Sequence, residues 1–183
     1  LTLSATPIPR TLYLSLIGAR DLSVINTPPQ ERIPIKTFIT VPNEETVRNA
    51  LLRELARDGQ AFVIHNRVET IYEFAAWIKE LVPQARILVG HGQMDAKELD
   101  KIFHQFKSGQ ADILVATTIV ENGIDIPNAN TIIIDKADHF GVAELYQLRG
   151  RGGRWNRRAY CYFIVNNFHN LPEVTRKRLQ ALV

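Results

Sequence analysis

The sequence predicts an α/β fold in which a mostly parallel sheet is covered by helices on both faces. Short apolar runs alternate with longer amphipathic stretches, and a strand–helix–strand alternation brings each strand back parallel through a right-handed crossover. The apolar runs contain few polar residues, as expected of strands buried on both faces. The 183 residues, 45% hydrophobic and 22% charged, suit one domain with a short appended segment and exclude disordered, collagen-like and mucin-like chains.

The elements follow in order. Leu1 to Thr6 reads as an apolar strand end running into a turn, and a first residue of Leu rather than Met suggests a cut from something longer. Pro7 and Pro9 bracket a turn that a helix over Thr11 to Ile17 can follow. Pro28-Pro29 and Pro34 mark a polar connector. A strand is then predicted from Ile35 to Val41, and Asn43 caps a helix to about Arg57, with Glu44 and Glu45 in its first turn. Asp58-Gly59 closes that helix before a strand from Ala61 to His65. The next helix runs from Glu69 to Leu81, with Tyr72, Ala75, Ala76 and Ile78 to Lys79 on a mixed face, and Pro83 stops it. Strands over Arg86 to Val89 and Asp112 to Ala116 flank a helix from Asp95 to Lys107. A strand over Thr131 to Ile134, a short helix over Val142 to Arg149, a strand over Tyr160 to Val165 and a helix over Pro172 to Leu182 complete the chain.

Several function classes are excluded. No apolar run approaches the ~18 residues of a membrane span, and the start of the chain lacks the pattern of a signal peptide, so the expected location is cytoplasmic, without a membrane partner. Cys161, the single cysteine, lies in a hydrophobic run and reads as a buried small hydrophobe. The histidines show no metal-ligand spacing, so no metal site is expected in this chain. The net charge of +3 conceals an asymmetry. Residues 149 to 178 hold eight basic residues against Glu173 and carry +7, while the remainder, with 14 basic and 18 acidic residues, carries −4. Such a cluster is either a solvated basic face or a surface for nucleic acid or nucleotide phosphates.

Open parallel sheets bind ligands at the carboxyl ends of their strands. The polar residues at those ends are Ser4 and Thr6; His65, Asn66 and Arg67; Gly90 to Met94, including His91 and Gly92; and Thr117 with Thr118. Hydroxyls and amides at Thr117-Thr118 suit phosphate oxygens, although two threonines alone more often cap a helix. Gly90-His91-Gly92 allows close backbone approach to a ligand, but a lone His91 is more often a satisfied histidine. The most informative stretch is Gln147 to Arg154. Arg151 and Arg154, three residues apart among glycines, can converge on one anion and stabilise charge on a transferring phosphoryl group, with Gln147 one turn earlier to orient water or a phosphate oxygen. The phosphate-cradling glycine–lysine loop is missing, as is an Asp-Glu pair for magnesium, so these residues form half of a nucleotide site.

In this order the residues resemble the second RecA-like domain of superfamily 2 helicases and translocases. Ser4-Ala5-Thr6 is similar to their third motif, Ala61 to Arg67 to the fourth, Gly90 to Met94 to the segment after it, Ala116 through Asp125 to the fifth, and Gln147 to Arg154 to the sixth. Thr6 to Thr11, Gly90 to Met94, and Ala137 to Gly141 leading into Gln147 to Arg151 resemble the RecG-like group. Leu22 to Ile25, Thr27 to Pro29 and Ala137 to Phe140 are nearer to its transcription-coupled-repair translocases.

The resemblance implies a three-layer α/β/α RecA-like lobe over residues 34–170. Residues 1–33 would end the first lobe and connect the two, and residues 171–183 would begin a helical translocation element. It implies an ATP-driven motor on double-stranded DNA. ATP and Mg2+ would be held mainly by the first lobe, Gln147, Arg151 and Arg154 would reach the γ-phosphate, and Gly123 and Asp125 would lie near the nucleotide. Asn66, Arg67, His91, Gly92, Thr117 and Thr118 would hold the DNA backbone, and Ser4, Ala5 and Thr6 would couple the two functions. RNA polymerase and excision-repair proteins would be met through segments outside this stretch, and the chain alone would not hydrolyse ATP. Gly152 stands where the family usually has valine, and Trp155 where a small polar residue is common. The competing readings are a RecG-type fork-remodelling lobe and a non-catalytic nucleic-acid-binding module of the same fold.

Overall fold

A computed structural model of the chain describes residues 33–118, 128–152 and 157–183, and within them each strand and helix expected from Ile35 onward forms. The strand end and helix expected before residue 33 lie outside the described residues. Six strands, β1 (Lys36–Thr40), β2 (Gln60–Ile64), β3 (Ile87–Gly90), β4 (Ile113–Ala116), β5 (Ala129–Ile134) and β6 (Tyr160–Ile164), build one sheet in the order β1-β6-β5-β2-β4-β3. Every pairing in it is parallel.

The register explains how one sheet builds two cores. Leu88, Leu114, Phe62, Ile132 and Cys161 align across five strands, and the next row is Val89, Val115, Val63, Ile133 and Tyr162. Successive side chains on a strand point to opposite faces. The first row therefore packs with Phe106 of α3 (Ala96–Lys107), Leu145 and Leu148 of α4 (Val142–Gly150) and Leu179 of α5 (Glu173–Gln180). The second packs with Val47, Ala50 and Leu51 of α1 (Glu44–Leu55) and with Ile71, Ala75 and Ile78 of α2 (Ile71–Leu81). The result is helix, sheet and helix in three layers. On α2 the buried stripe is Ile71, Ala75 and Ile78, whereas Tyr72 and Ala76 are exposed. The mixed face expected there divides accordingly.

Local chemistry sets the helix ends. Asn43 Oδ1 accepts from the Thr46 amide at 2.9 Å and Asp95 Oδ1 from the Glu98 amide at 2.8 Å, each satisfying a donor that the first turn leaves open. After α1 the chain turns through Asp58, whose φ of 56° is in the left-handed region that short polar side chains tolerate. Gly59 then follows because there is no room for a side chain: a Cβ would lie 1.7 Å from Oε1 of Glu54. That carboxylate is fully buried and accepts from Thr131 Oγ1 and Arg57 Nη2. Arg57 also donates to the Arg158 carbonyl at 2.8 Å, so the end of α1 is tied to the amino-terminal side of β5 and β6.

Cys161 is fully buried and burial pushes its thiol far above the ordinary range, which makes it inert as expected. The final helix contributes Leu179, followed by Leu182, to the same core as the sheet. Arg149 Nη1 donates to the Leu182 carbonyl. Among the described residues no helix is long and apolar enough to cross a membrane.

Candidate functional site

The strand order brings three of the predicted polar groups together. β2, β4 and β3 are neighbours, so the segments that leave their carboxyl ends meet at one edge. Thr118 Oγ1 donates to Asn66 Oδ1 at 2.9 Å, and the Thr118 amide lies 3.5 Å from the same oxygen. The Thr117 amide donates to the Gly90 carbonyl at 3.2 Å and links the third segment to the other two. Asn66, Arg67 and Gly92 are exposed, Thr118 is half-buried, and Thr117 and His91 are buried. Thr117 Oγ1 has no hydrogen-bond partner among the described residues. One cationic fork, an amide side chain, a hydroxyl and an open glycine backbone on a single edge can receive phosphate oxygens.

His65, which the sequence placed at the end of β2, holds this edge in shape with partners that sequence reasoning did not single out as site residues. His65 is buried between Asp135, whose Oδ2 lies 2.8 Å from its Nδ1, and Thr70, whose Oγ1 lies 2.8 Å from its Nε2. Its ring stacks on Phe74 with centroids 4.3 Å apart. This network fixes the loop that presents Asn66 and Arg67. The signal for Asp135 was a carboxylate directly after an apolar strand. Thr70 and Phe74 carried no local signal. Tyr72, at the start of α2, places its hydroxyl 3.0 Å from His91 Nε2.

Gln147 and Arg151 occupy a different place. Arg151 ends α4 with helical dihedrals, four residues after Gln147, so the two share a helix face. The neighbouring Gly152 is buried against Ile132 and the Ala129 carbonyl, which sets the end of α4 against the amino-terminal half of β5. The molecule thus has two candidate surfaces, the carboxyl edge and the end of α4. Ser4, Ala5, Thr6, Gly123, Asp125, Arg154 and Trp155 lie outside the described residues.

Part of the charge of the basic stretch is engaged with the protein's own groups. Arg149 holds the Leu182 carbonyl, and Arg157 donates to the Arg57 carbonyl at 2.9 Å. Arg178 reaches Thr175 Oγ1 at 3.1 Å and the Asp138 carbonyl at 3.4 Å, and Lys177 pairs with Glu173 at 2.6 Å. Arg149, Arg157 and Arg178 therefore tie the last elements of the fold to their neighbours, whereas the exposed Lys177 pairs within its own helix. Among the described residues no group of three or more His, Cys, Asp and Glu side chains could hold a metal ion.

Comparison with known proteins defines the class. The helicase conserved C-terminal domain family matches residues 44–156, and the chain belongs to that family. The chain is 52% identical over 182 residues to the transcription-repair-coupling factor of Staphylococcus haemolyticus and 52% identical to that of Bacillus subtilis. Each match covers 100% of this chain and 16% of the relative, so the chain spans about a sixth of the length of these proteins. Among solved structures, RecG bound to a three-way DNA junction superposes with a TM-score of 0.80 at 35% identity, over 97% of this chain and 24% of that one. The C-terminal domain of the DEAD-box protein Dbp5 superposes with a TM-score of 0.58 at 20% identity, over 81% and 83% of the two chains, and shares the fold. The α/β/α sandwich is a RecA-like domain, similar to the second such domain of the coupling factors.

Proposed function

We propose that this chain is the second motor lobe of an ATP-dependent double-stranded DNA translocase that displaces stalled RNA polymerase and couples transcription to excision repair. The observation that carries this reading is the division into two surfaces, a phosphate-suited carboxyl edge and the arginine-bearing end of α4, in a chain half identical to transcription-repair-coupling factors. ATP with Mg2+, bound between this lobe and a preceding one, would supply the energy. The guanidinium of Arg151 and the amide of Gln147 are the donor types that hold phosphate oxygens, and the ligands for the metal would come mainly from the other lobe.

Within this chain Arg151, with Arg154, would offset charge developing on the transferred phosphoryl group, and Gln147 would orient the attacking water. Asn66, Arg67, Gly92 and Thr118 would grip the duplex backbone without reading sequence, so binding would weaken steeply with salt. Ser4, Ala5 and Thr6 would link the two events, and Gly123 and Asp125 would line the nucleotide. RNA polymerase and excision-repair proteins would be met by other segments of the longer protein. The protein would act in the cytoplasm.

The likeness to RecG favours fork remodelling as a second reading, which keeps the chemistry and changes the DNA. Activity of the full-length protein separates the two. Linear and forked duplexes should stimulate ATP hydrolysis comparably, and a stalled RNA polymerase should be released from its template. Stimulation confined to forked DNA, with polymerase left in place, would establish the RecG-type reading instead.

A further inference from the structure

We infer that the group on the β3 side of the carboxyl edge that contacts a duplex phosphate is the Tyr72 hydroxyl, with His91 as its positioning residue. This inference rests on the reading of that edge as a DNA grip. His91 is only 8% exposed, and both of its ring nitrogens are engaged within the protein. Nδ1 accepts from the Gln93 amide at 3.3 Å, so in the neutral ring the proton resides on Nε2. Nε2–H then donates to the Tyr72 hydroxyl at 3.0 Å.

The histidine has no remaining donor for a phosphate oxygen, whereas the tyrosine has one. Its oxygen accepts from His91, and among the described residues its own O–H meets no acceptor. Tyr72 is 58% exposed, and its ring meets that of His91 edge-on, at 85° with centroids 5.5 Å apart. It stands on the first turn of α2, shortly after Asn66 and Arg67, where more than half of a large aromatic side chain is left exposed. A hydroxyl whose lone pair already accepts a hydrogen bond is the stronger donor to an anion, because hydrogen bonds in a chain polarise one another.

The test measures binding of a fluorescently labelled duplex of arbitrary sequence to the full-length protein. Tyr72→Phe removes only the hydroxyl and should weaken binding about tenfold, the value of a hydrogen bond to a charged group. Its salt dependence should stay that of the wild type, because a neutral donor releases no counterion. His91→Ala should weaken binding in the wild-type background and have no further effect once Tyr72 is Phe. His91→Gln, which keeps a side-chain N–H near the Nε2 position, should restore part of the loss. Equal loss from His91→Ala in both backgrounds, or wild-type binding by Tyr72→Phe, would overturn the inference. Asn66→Ala and Thr118→Ala serve as controls for the grip. If the wild type shows no salt-sensitive binding, or if both controls bind as the wild type does, the DNA reading of this edge falls and the inference falls with it.

Discussion

Gly152 stands where the resemblance leads to an expected valine, and its surroundings suit a glycine. A Cβ placed there would lie 3.0 Å from Ile132 Cδ1 and 3.3 Å from Ile132 Cγ1, closer than ordinary van der Waals contact. Ile132 is 1% exposed in the middle of the sheet and has little room to yield. Gly152→Val should therefore cost about 1–3 kcal/mol of folding free energy through overpacking. Ile132→Val removes the nearest methyl and should recover part of that cost, so the double variant is expected to lose less than the two single losses added. Denaturant unfolding of the four proteins measures this coupling; strict additivity would show that Ile132 does not limit the site. Residue-scale readings of this kind were only partly open to the sequence. The resemblance drew notice to Gly152, but its closeness to Ile132 arises from α4 folding back on β5.

At the scale of elements, the sheet is clipped along its amino-terminal edge as well as paired along its strands. Arg86 Nη2 and Nε reach the two Asp112 oxygens at 2.6 and 3.1 Å, and the Arg86 amide donates to Asp112 Oδ2 at 2.7 Å, joining the starts of β3 and β4. The hydrogen bonds from Arg86 hold the Asp112 carboxyl below its ordinary value of 3.8. A carboxylate whose pKa is lowered by folding stabilises the fold fully above its unfolded value and loses that contribution as pH falls through the native one. The stability difference between wild type and Asp112→Asn should therefore be constant from neutral pH down to the region of 3.8 and shrink below it, as measured by urea unfolding. A difference independent of pH across that range would remove the charged pair from the account.

The elements themselves were legible from Ile35 onward because apolar runs, cap residues and turn residues all agree locally. Two of the strand starts that were missed involve buried polar groups. β2 begins at Gln60, whose Nε2 donates to the Phe106 and Ala111 carbonyls at 2.7 Å, and β5 begins at Ala129, ahead of the buried Asn130. A buried amide is recognised through partners distant in sequence, which no local pattern displays. The pairing of Asn66 with Thr118, 52 residues apart, likewise depends on β2 lying beside β4. The sequence indicated which residues leave the strand ends, and the strand order determined which of them meet.

For the whole molecule, the proposal is of a RecA-like fold that serves as half of an enzyme. Composition allowed the first part, since 45% hydrophobic residues suffice for two cores on one sheet. The charge arithmetic was less faithful, because Arg149, Arg157, Lys177 and Arg178 hold the protein's own carbonyls, hydroxyls and carboxylates. The most direct measurement is duplex-stimulated ATP hydrolysis by the full-length protein, the Arg151→Ala variant and this chain alone. The full-length protein should turn over, this chain should not, and Arg151→Ala should lower turnover by about a thousandfold or more, the effect of an arginine that stabilises the transferring phosphoryl group. Hydrolysis by the isolated chain, or undiminished turnover by Arg151→Ala, would contradict the assignment of this lobe as the arginine-supplying half of the motor.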